Sequence, residues 1–568
     1  MGCWLLMAPR GRARGTMLGC VALVVALRRT SGLAETGAFA ESFSRSLEGT
    51  RLRVLSWNVA AVNNNPFEYW ITHPKKEYKA LMEAVEQFIS EPGEVDSGIS
   101  RPDEQLQAPS GLTADGMDDS APFLSLRLRE EDLLVHEVFT DHMFQTLSAR
   151  MRSSGLEAVD VAETFWSQYR TRRIVSKFLR DPVIGKKRLA SMPDRVTNTI
   201  QLLNGCTYRP SVVNCYQGQL SSLEAWFSQW LSFFFEEDVD IDGSGSKKVY
   251  SLLQKIRRAK YPAISEEEEA ASIPLQLMMQ GIFDAILMRL MLEKAGAAWE
   301  ELRREICESL NSKKNDLIKD ILLQTYKDAD VLFLQEAGNQ LLSSLREEYS
   351  STFHVAVPRS FSNERAQNSI VLLRRSIFAA PSEVEVPAEG WEPGDLLLLR
   401  AQVLGGPEIA LASFHGDTNG LLTIPMLSKV WQHLPVSRLI FGLDANTHEK
   451  RVDGKAHVLD FEESYRSLGL KACWGDVSPK LYTTFNARTY LQPQLNKASK
   501  STELEEKGDR NPKDFILFTK HFQVGDVIRD NTGRGDYVED MVFPTLEFPS
   551  DHALIAADLL LLAEQSEL

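Results

Sequence analysis

The chain is poor in cysteine, with six in 568 residues, and Cys3 and Cys20 fall within the first 34. That excludes a disulfide-stapled scaffold. Of the other four, Cys206 and Cys215 alone are close enough in sequence to close a small disulfide loop in an oxidising compartment; buried free thiols are the alternative. No cysteine spacing suggests a zinc site. An excess of basic residues is also missing, since the net charge is −15. The chain therefore has no blanket attraction for nucleic acid, although a local basic groove or a bound metal could supply one. No internal repeat is present, which argues against a solenoid. After residue 34 no stretch reads as a transmembrane helix.

The first 34 residues differ in character from the rest. Arg10, Arg12, Arg14, Arg28 and Arg29 occur there without an acid, around the apolar run Met17–Leu27. The run is too short to span a bilayer. Small residues follow it, with a cleavage site expected after Ala34, so the segment reads as a secretory signal. A plastid or other organellar targeting segment is the alternative, because the stretch is Arg-rich and acid-free.

What the remainder holds in abundance is core material. A hydrophobic share of 43% beside 25% charged residues is ordinary for a globular protein. The spacings predict a strand over 52–60 and an amphipathic helix over Pro66–Ile89. A Gly/Pro/Ser/Asp-rich loop follows over 91–122, and then a mainly helical stretch to about 310. From Leu317 short apolar, β-branched runs dominate. Strands are expected at 330–336, 352–357, 368–374, 396–403, 408–414, 438–443, 515–519, 524–528 and 553–560. Helices are expected near 338–348, 423–433 and 461–467, and a polar loop over 493–512. Intermixed helices and antiparallel neighbours favour a layered α/β sandwich.

Polar residues stand where several of these runs begin or end: Leu55-Ser-Trp-Asn58, Leu334-Gln-Glu336, Ser413-Phe-His415, Gly442-Leu-Asp-Ala-Asn446, Lys513-Asp514 and Ser550-Asp-His552. A carboxylate closing a buried strand is costly unless paired or bound to metal, which singles out Glu336. Asp444 and Asn446, two apart at a strand exit, can face one pocket. Asp417 and Asn419 repeat that spacing deeper in a loop and read as loop-forming residues. An Asp on one ring nitrogen would orient His552 and favour its protonated form. Asp238-Val-Asp-Ile-Asp-Gly243 begins like a calcium loop, but Val249 stands where the bidentate Glu belongs, so it reads as an acidic turn.

Taken in order, these segments resemble the endonuclease/exonuclease/phosphatase superfamily, over 50–90 and 312–565. The resemblance implies a four-layer α/β sandwich, two mixed β-sheets flanked by helices, interrupted by a large mainly helical insertion over 91–311. It implies a metal-dependent phosphoester hydrolase using Mg²⁺, with Mn²⁺ as the substitute. Glu336 would hold the metal with Asn58 and Asp551 nearby. Asp444 and Asn446 would position and activate water, while His415 and His552, the latter supported by Asp514, would contact the phosphate. Nucleic acid, phospholipid and inositol phosphate all stay open as substrates. Pro512 and Phe515, where inositol polyphosphate 5-phosphatases have Trp and Arg, argue against that branch. Thr484-Phe485-Asn486 and Arg488 could line the substrate side. A non-catalytic scaffold binding partners through the insertion is the reading from another class.

Overall fold

The computed structural model describes residues 49–63, 65–90, 133–187, 199–296, 298–363, 365–475, 481–491 and 508–562. The targeting segment and the loop expected at 91–122 lie outside them, as does most of the loop expected at 493–512.

Twelve strands form two sheets: β1 (Arg51–Asn58), β2 (Val331–Ala337), β3 (Phe353–Ala356), β4 (Asn368–Arg374), β5 (Ser382–Glu383), β6 (Leu396–Gln402), β7 (Glu408–His415), β8 (Leu439–Asp444), β9 (Lys471–Ala472), β10 (Asp514–Phe518), β11 (Phe522–Asp530) and β12 (Leu554–Leu561). The first sheet runs β11-β12-β1-β2-β4-β3 and the second β9-β10-β8-β7-β6-β5. Each has one parallel pair at its centre, β1 with β2 and β7 with β8. The neighbours of each pair are antiparallel. The carboxyl ends of all four central strands therefore emerge at one edge.

Side-chain alternation along each strand divides the core into layers. Leu52, Val54, Val331, Phe333, Ile409, Leu411 and Ile440 meet between the sheets. On the outer face of the first sheet, Leu55, Trp57, Leu332 and Leu334 pack with Ile318, Leu341 and Leu345 from helices Lys314–Asp320 and Asn339–Tyr349. Outside the second sheet, Ala410, Phe414, Phe441 and Leu443 meet Met426, Val430, Phe461 and Tyr465 from helices Thr423–Gln432 and Val458–Ser467. This is the four-layer sandwich that the sequence implied. The sheets approach closely at Gly442, where a Cβ would fall 2.4 to 2.7 Å from Phe333 side-chain atoms. Gly442→Ala should thus cost about 1–3 kcal/mol by overpacking, measurable as a lower urea midpoint at unchanged slope.

The helix expected over Pro66–Ile89 is shorter, Lys76–Ser90. Pro74 cannot continue a helix interior, and the residues before it instead bridge Tyr69 to Arg488 and Thr72 to Thr545. The helix buries Tyr78, Leu81, Val85 and Phe88 in one cluster with the helices between 135 and 310. Through that cluster runs Ser272–Ala295, a 24-residue helix long and apolar enough to cross a membrane; 89% of its apolar window is buried here. Asp284 on this helix faces Arg209 at 2.9 Å and accepts from Trp230 Nε1 at 3.2 Å and Ser211 Oγ at 3.1 Å. This buried ion pair, with Asp284 also hydrogen-bonded to neighbouring side chains, lies within a largely apolar core. The disulfide considered for Cys206 and Cys215 is absent: Cys206, Cys215, Cys307 and Cys473 are all free, and Cys206 is exposed. The acidic stretch from Asp238 makes a turn, with Gly243 N donating to Asp240 Oδ1 at 2.8 Å.

Candidate active site

The inner face of each central strand turns from apolar to polar as it nears the shared edge. Ser56, Gln335, Ser413 and Gly442 succeed the hydrophobic positions, and Gln335 Nε2 donates to Ser413 Oγ at 3.1 Å and to the Gly442 carbonyl at 3.4 Å. This fully buried amide crosslinks the sheets directly beneath the strand tips. One step further along the alternation come Asn58, His415 and Asp444, with Asp514 entering β10 opposite Asp444.

Glu336 breaks the alternation. By parity with Leu332 and Leu334 it belongs on the outer, helix-covered face. Its φ of 53° and the register irregularity between Leu334 and Ala337 form a bulge that turns it to the site. A bulge re-aims a side chain at the cost of a strained backbone. Asn446, with φ 49°, is held in the same unusual conformation at the end of β8.

Around this edge the contacts are short. Asn58 Nδ2 donates to Glu336 Oε1 at 3.1 Å and to Asp444 Oδ2 at 2.9 Å, bracing the two carboxylates. Its own oxygen accepts from Ala60 N at 2.9 Å. Ala61 N donates to Glu336 Oε2 at 2.9 Å. His415 Nε2 lies 3.2 Å from Glu336 Oε1 and 3.7 Å from Asp444 Oδ2. His552 Nδ1 donates to Asp514 at 3.0 Å, and its Nε2 points toward Asp444 Oδ2 at 3.8 Å. Asn446 Nδ2 donates to the Gly416 carbonyl at 3.0 Å, and its N–H caps Asp444 Oδ1 at 2.8 Å.

Backbone and neighbours hold these groups in place. Trp57 Nε1 donates to the His552 carbonyl at 3.0 Å, and Ser550 Oγ to the Asn58 carbonyl at 2.7 Å. Thr483 Oγ1 accepts from Asp514 N at 3.0 Å. Burial opposes charge on Glu336, His415, Asp514 and His552. For Glu336 the hydrogen bond and charge of His415 outweigh it and hold the carboxyl far below its ordinary range. For His552 burial is outweighed by Asp514 and Asp444, and its pKa is pushed up to about 10. His415 is likewise raised, chiefly through Glu336 acting against burial. The buried Asp514 is raised, desolvation exceeding the pull of His552.

Seven of the eight residues read from the sequence thus share one network. The eighth, Asp551, is half-buried beside it. Its charge acts on His552, but the carboxylate is not gathered with the close potential metal ligands. Those are Glu336, His415 and Asp444 in one group and Asp444, Asp514 and His552 in another, with ligand atoms within 4.8 Å of one another in each. Asp417 caps its own loop, accepting from Leu422 N at 2.8 Å. Thr484 forms a bridge to His552, and Arg488 pairs with Glu68 at 3.2 Å. Gln335 and Thr483 went without a role in the sequence reading, as did Lys314, whose buried ammonium lies near Glu336 and Asp551. A glutamine inside an apolar strand is a signal that could have been used. Lys314 offers none, since it sits in a polar stretch that looks like surface.

Residues 132–304 match a domain of unknown function, DUF8234. No curated protein matches the chain. Among solved structures it is similar to ANGEL2, a 2′,3′-cyclic phosphatase in complex with adenosine-2′,3′-vanadate, at 14% identity over 46% of this chain and 88% of that one, TM-score 0.32. It is similar to D. rerio TDP2 complexed with a single-strand DNA product, at 16% identity over 43% and 91%, TM-score 0.30. It is also similar to an endonuclease/exonuclease/phosphatase from Bacteroides vulgatus, at 13% identity over 45% and 93%, TM-score 0.31. These overlaps cover less than half of the chain.

Proposed function

We propose that the chain is a Mg²⁺-dependent phosphoester hydrolase, with Mn²⁺ able to substitute. The observation that carries this is the meeting of two ionisable carboxylates, Glu336 and Asp444, with two histidines at an edge shared by both sheets. Carboxylates this close repel unless cations lie between them. Here the Asn58 amide and the His415 imidazole N–H groups fulfil that need in part, and the oxygen donors suit a hard divalent ion. Glu336 is the proposed principal ligand, with Asp551 beside it and Asn58 aligning the cage. A bound ion would supply charge for the non-bridging oxygens of the phosphate.

The chain's own groups cover the remaining chemistry. Asp444, held from both sides by Asn58 and the Asn446 N–H, can orient and deprotonate a water. Asn446, fixed on Gly416, shapes the water pocket. His552 as imidazolium, steadied by Asp514, and His415 donate to phosphate oxygens whose charge grows during attack. Nucleic acid, phospholipid and inositol phosphate are the substrate classes to separate. The N-terminal segment is proposed to send the chain into the secretory pathway, with a plastid or other organelle the alternative.

The test is hydrolysis of bis-p-nitrophenyl phosphate, DNA, RNA, sphingomyelin and inositol phosphates, each with and without EDTA, beside Glu336→Ala. Turnover that chelation abolishes, Mg²⁺ restores and the variant lacks is expected. Absence of metal-dependent turnover on the whole panel would sink the proposal and favour a scaffold.

A further inference from the structure

The insertion returns to the sandwich through helix Lys314–Asp320, and the first residue of that helix is a buried lysine. Lys314 is 4% exposed, and its ammonium has one hydrogen-bond partner among the described residues, the Ala61 carbonyl at 3.5 Å. No carboxylate stands within 4 Å of it among those residues. Burying an ammonium with donors unspent is unfavourable unless negative charge lies close enough to offset it. The charges that act on it are those of Asp551 and Glu336, and burial still lowers its pKa to about 8. A continuous link joins it to the cage: the peptide whose carbonyl receives Lys314 belongs to Ala61, whose N–H donates to Glu336 Oε2 at 2.9 Å. The flanking residues Ser312, Lys313 and Asn315 line a cavity of about 1460 Å³ that Glu336 also lines.

Resting on the metal reading of the site, we propose that Lys314 is a resident counter-cation of the Glu336–Asp551 side of the cage. It is a positioning residue that keeps the carboxylates assembled without metal and weakens their hold on a divalent ion. A divalent ion held by Glu336 would have the like-signed Lys314 ammonium as a neighbour, and in a poorly solvated site such repulsion is large. The helix just beyond the insertion thereby tunes a site to which it contributes no ligand.

The measurement is Mn²⁺ affinity of the full chain, read from the electron paramagnetic resonance signal of free Mn²⁺. Lys314→Met should tighten binding at least about tenfold, whereas Lys314→Arg, which keeps the charge, should stay near wild type. A purely structural lysine would leave affinity unchanged or weaken it in Lys314→Met, and either result overturns the proposal. Lys314→Gln, which retains a donor for Ala61, is subject to the same criterion should the methionine variant not fold. Wild-type protein that binds no Mn²⁺, or binds it equally well as Glu336→Gln, would refute the metal reading itself. Binding that Glu336→Gln removes but Lys314→Met does not tighten would refute the role of Lys314 alone.

Discussion

Asp444→Asn will lower phosphoester turnover by about 10²–10⁴-fold while leaving the chain folded. Asp444 is fully buried at the point where the sheets meet, and one of its oxygens faces Asn58, His415 and His552 together. Asparagine preserves the shape but removes the charge that a water-activating group needs, and it presents an amide where both histidines meet an anion. Steady-state kinetics on bis-p-nitrophenyl phosphate, with the melting temperature measured alongside, tests this. A variant that melts like wild type and turns over within a few-fold of it would remove Asp444 from the mechanism. Because the same carboxylate raises His415 and His552, the variant should also shift the pH profile, which a simple packing defect would not.

The sandwich was legible because its strands are short apolar runs with a period of two, and period two dictates which side chains share a face. Asn58, His415, Asp444 and Asp514 obey that parity, so their convergence follows from the strand pattern once the two parallel pairs are aligned. Glu336 does not obey it. Its place at the site depends on one backbone angle, which no pattern of hydrophobicity encodes. The shortened first helix shows another limit: apolar spacing over 66–89 is continuous, but Pro74 and the pairing of Tyr69 and Thr72 with distant segments override it. Lys314 was invisible for a third reason. It is buried beside the Ala61 carbonyl, 253 residues away in the chain, a long-range contact that leaves no local trace in Asn311-Ser-Lys-Lys-Asn-Asp316.

His552→Ala is expected to reduce turnover by a similar factor, about 10²–10⁴, and its partner Asp514 gives the change a pH signature. The pair is buried, with His552 Nδ1 donating to both Asp514 oxygens at 3.0 and 3.1 Å. Desolvation alone would expel the proton, yet Asp514 and Asp444 push the imidazole up to about 10, above its ordinary 6.5. A histidine raised in the folded state stabilises it fully below the unfolded pKa, and that contribution fades as pH climbs from about 6.5 through about 10. Asp514→Asn removes the principal partner. Wild type should therefore exceed Asp514→Asn in unfolding free energy at pH 6, with the gap narrowing toward pH 10, as read from urea titrations at each pH. A gap constant across that range would mean that His552 is neutral in the metal-free protein. Its role would then be that of a hydrogen-bond donor from neutral imidazole, and the charge offered to the phosphate would have to come from His415 and the metal.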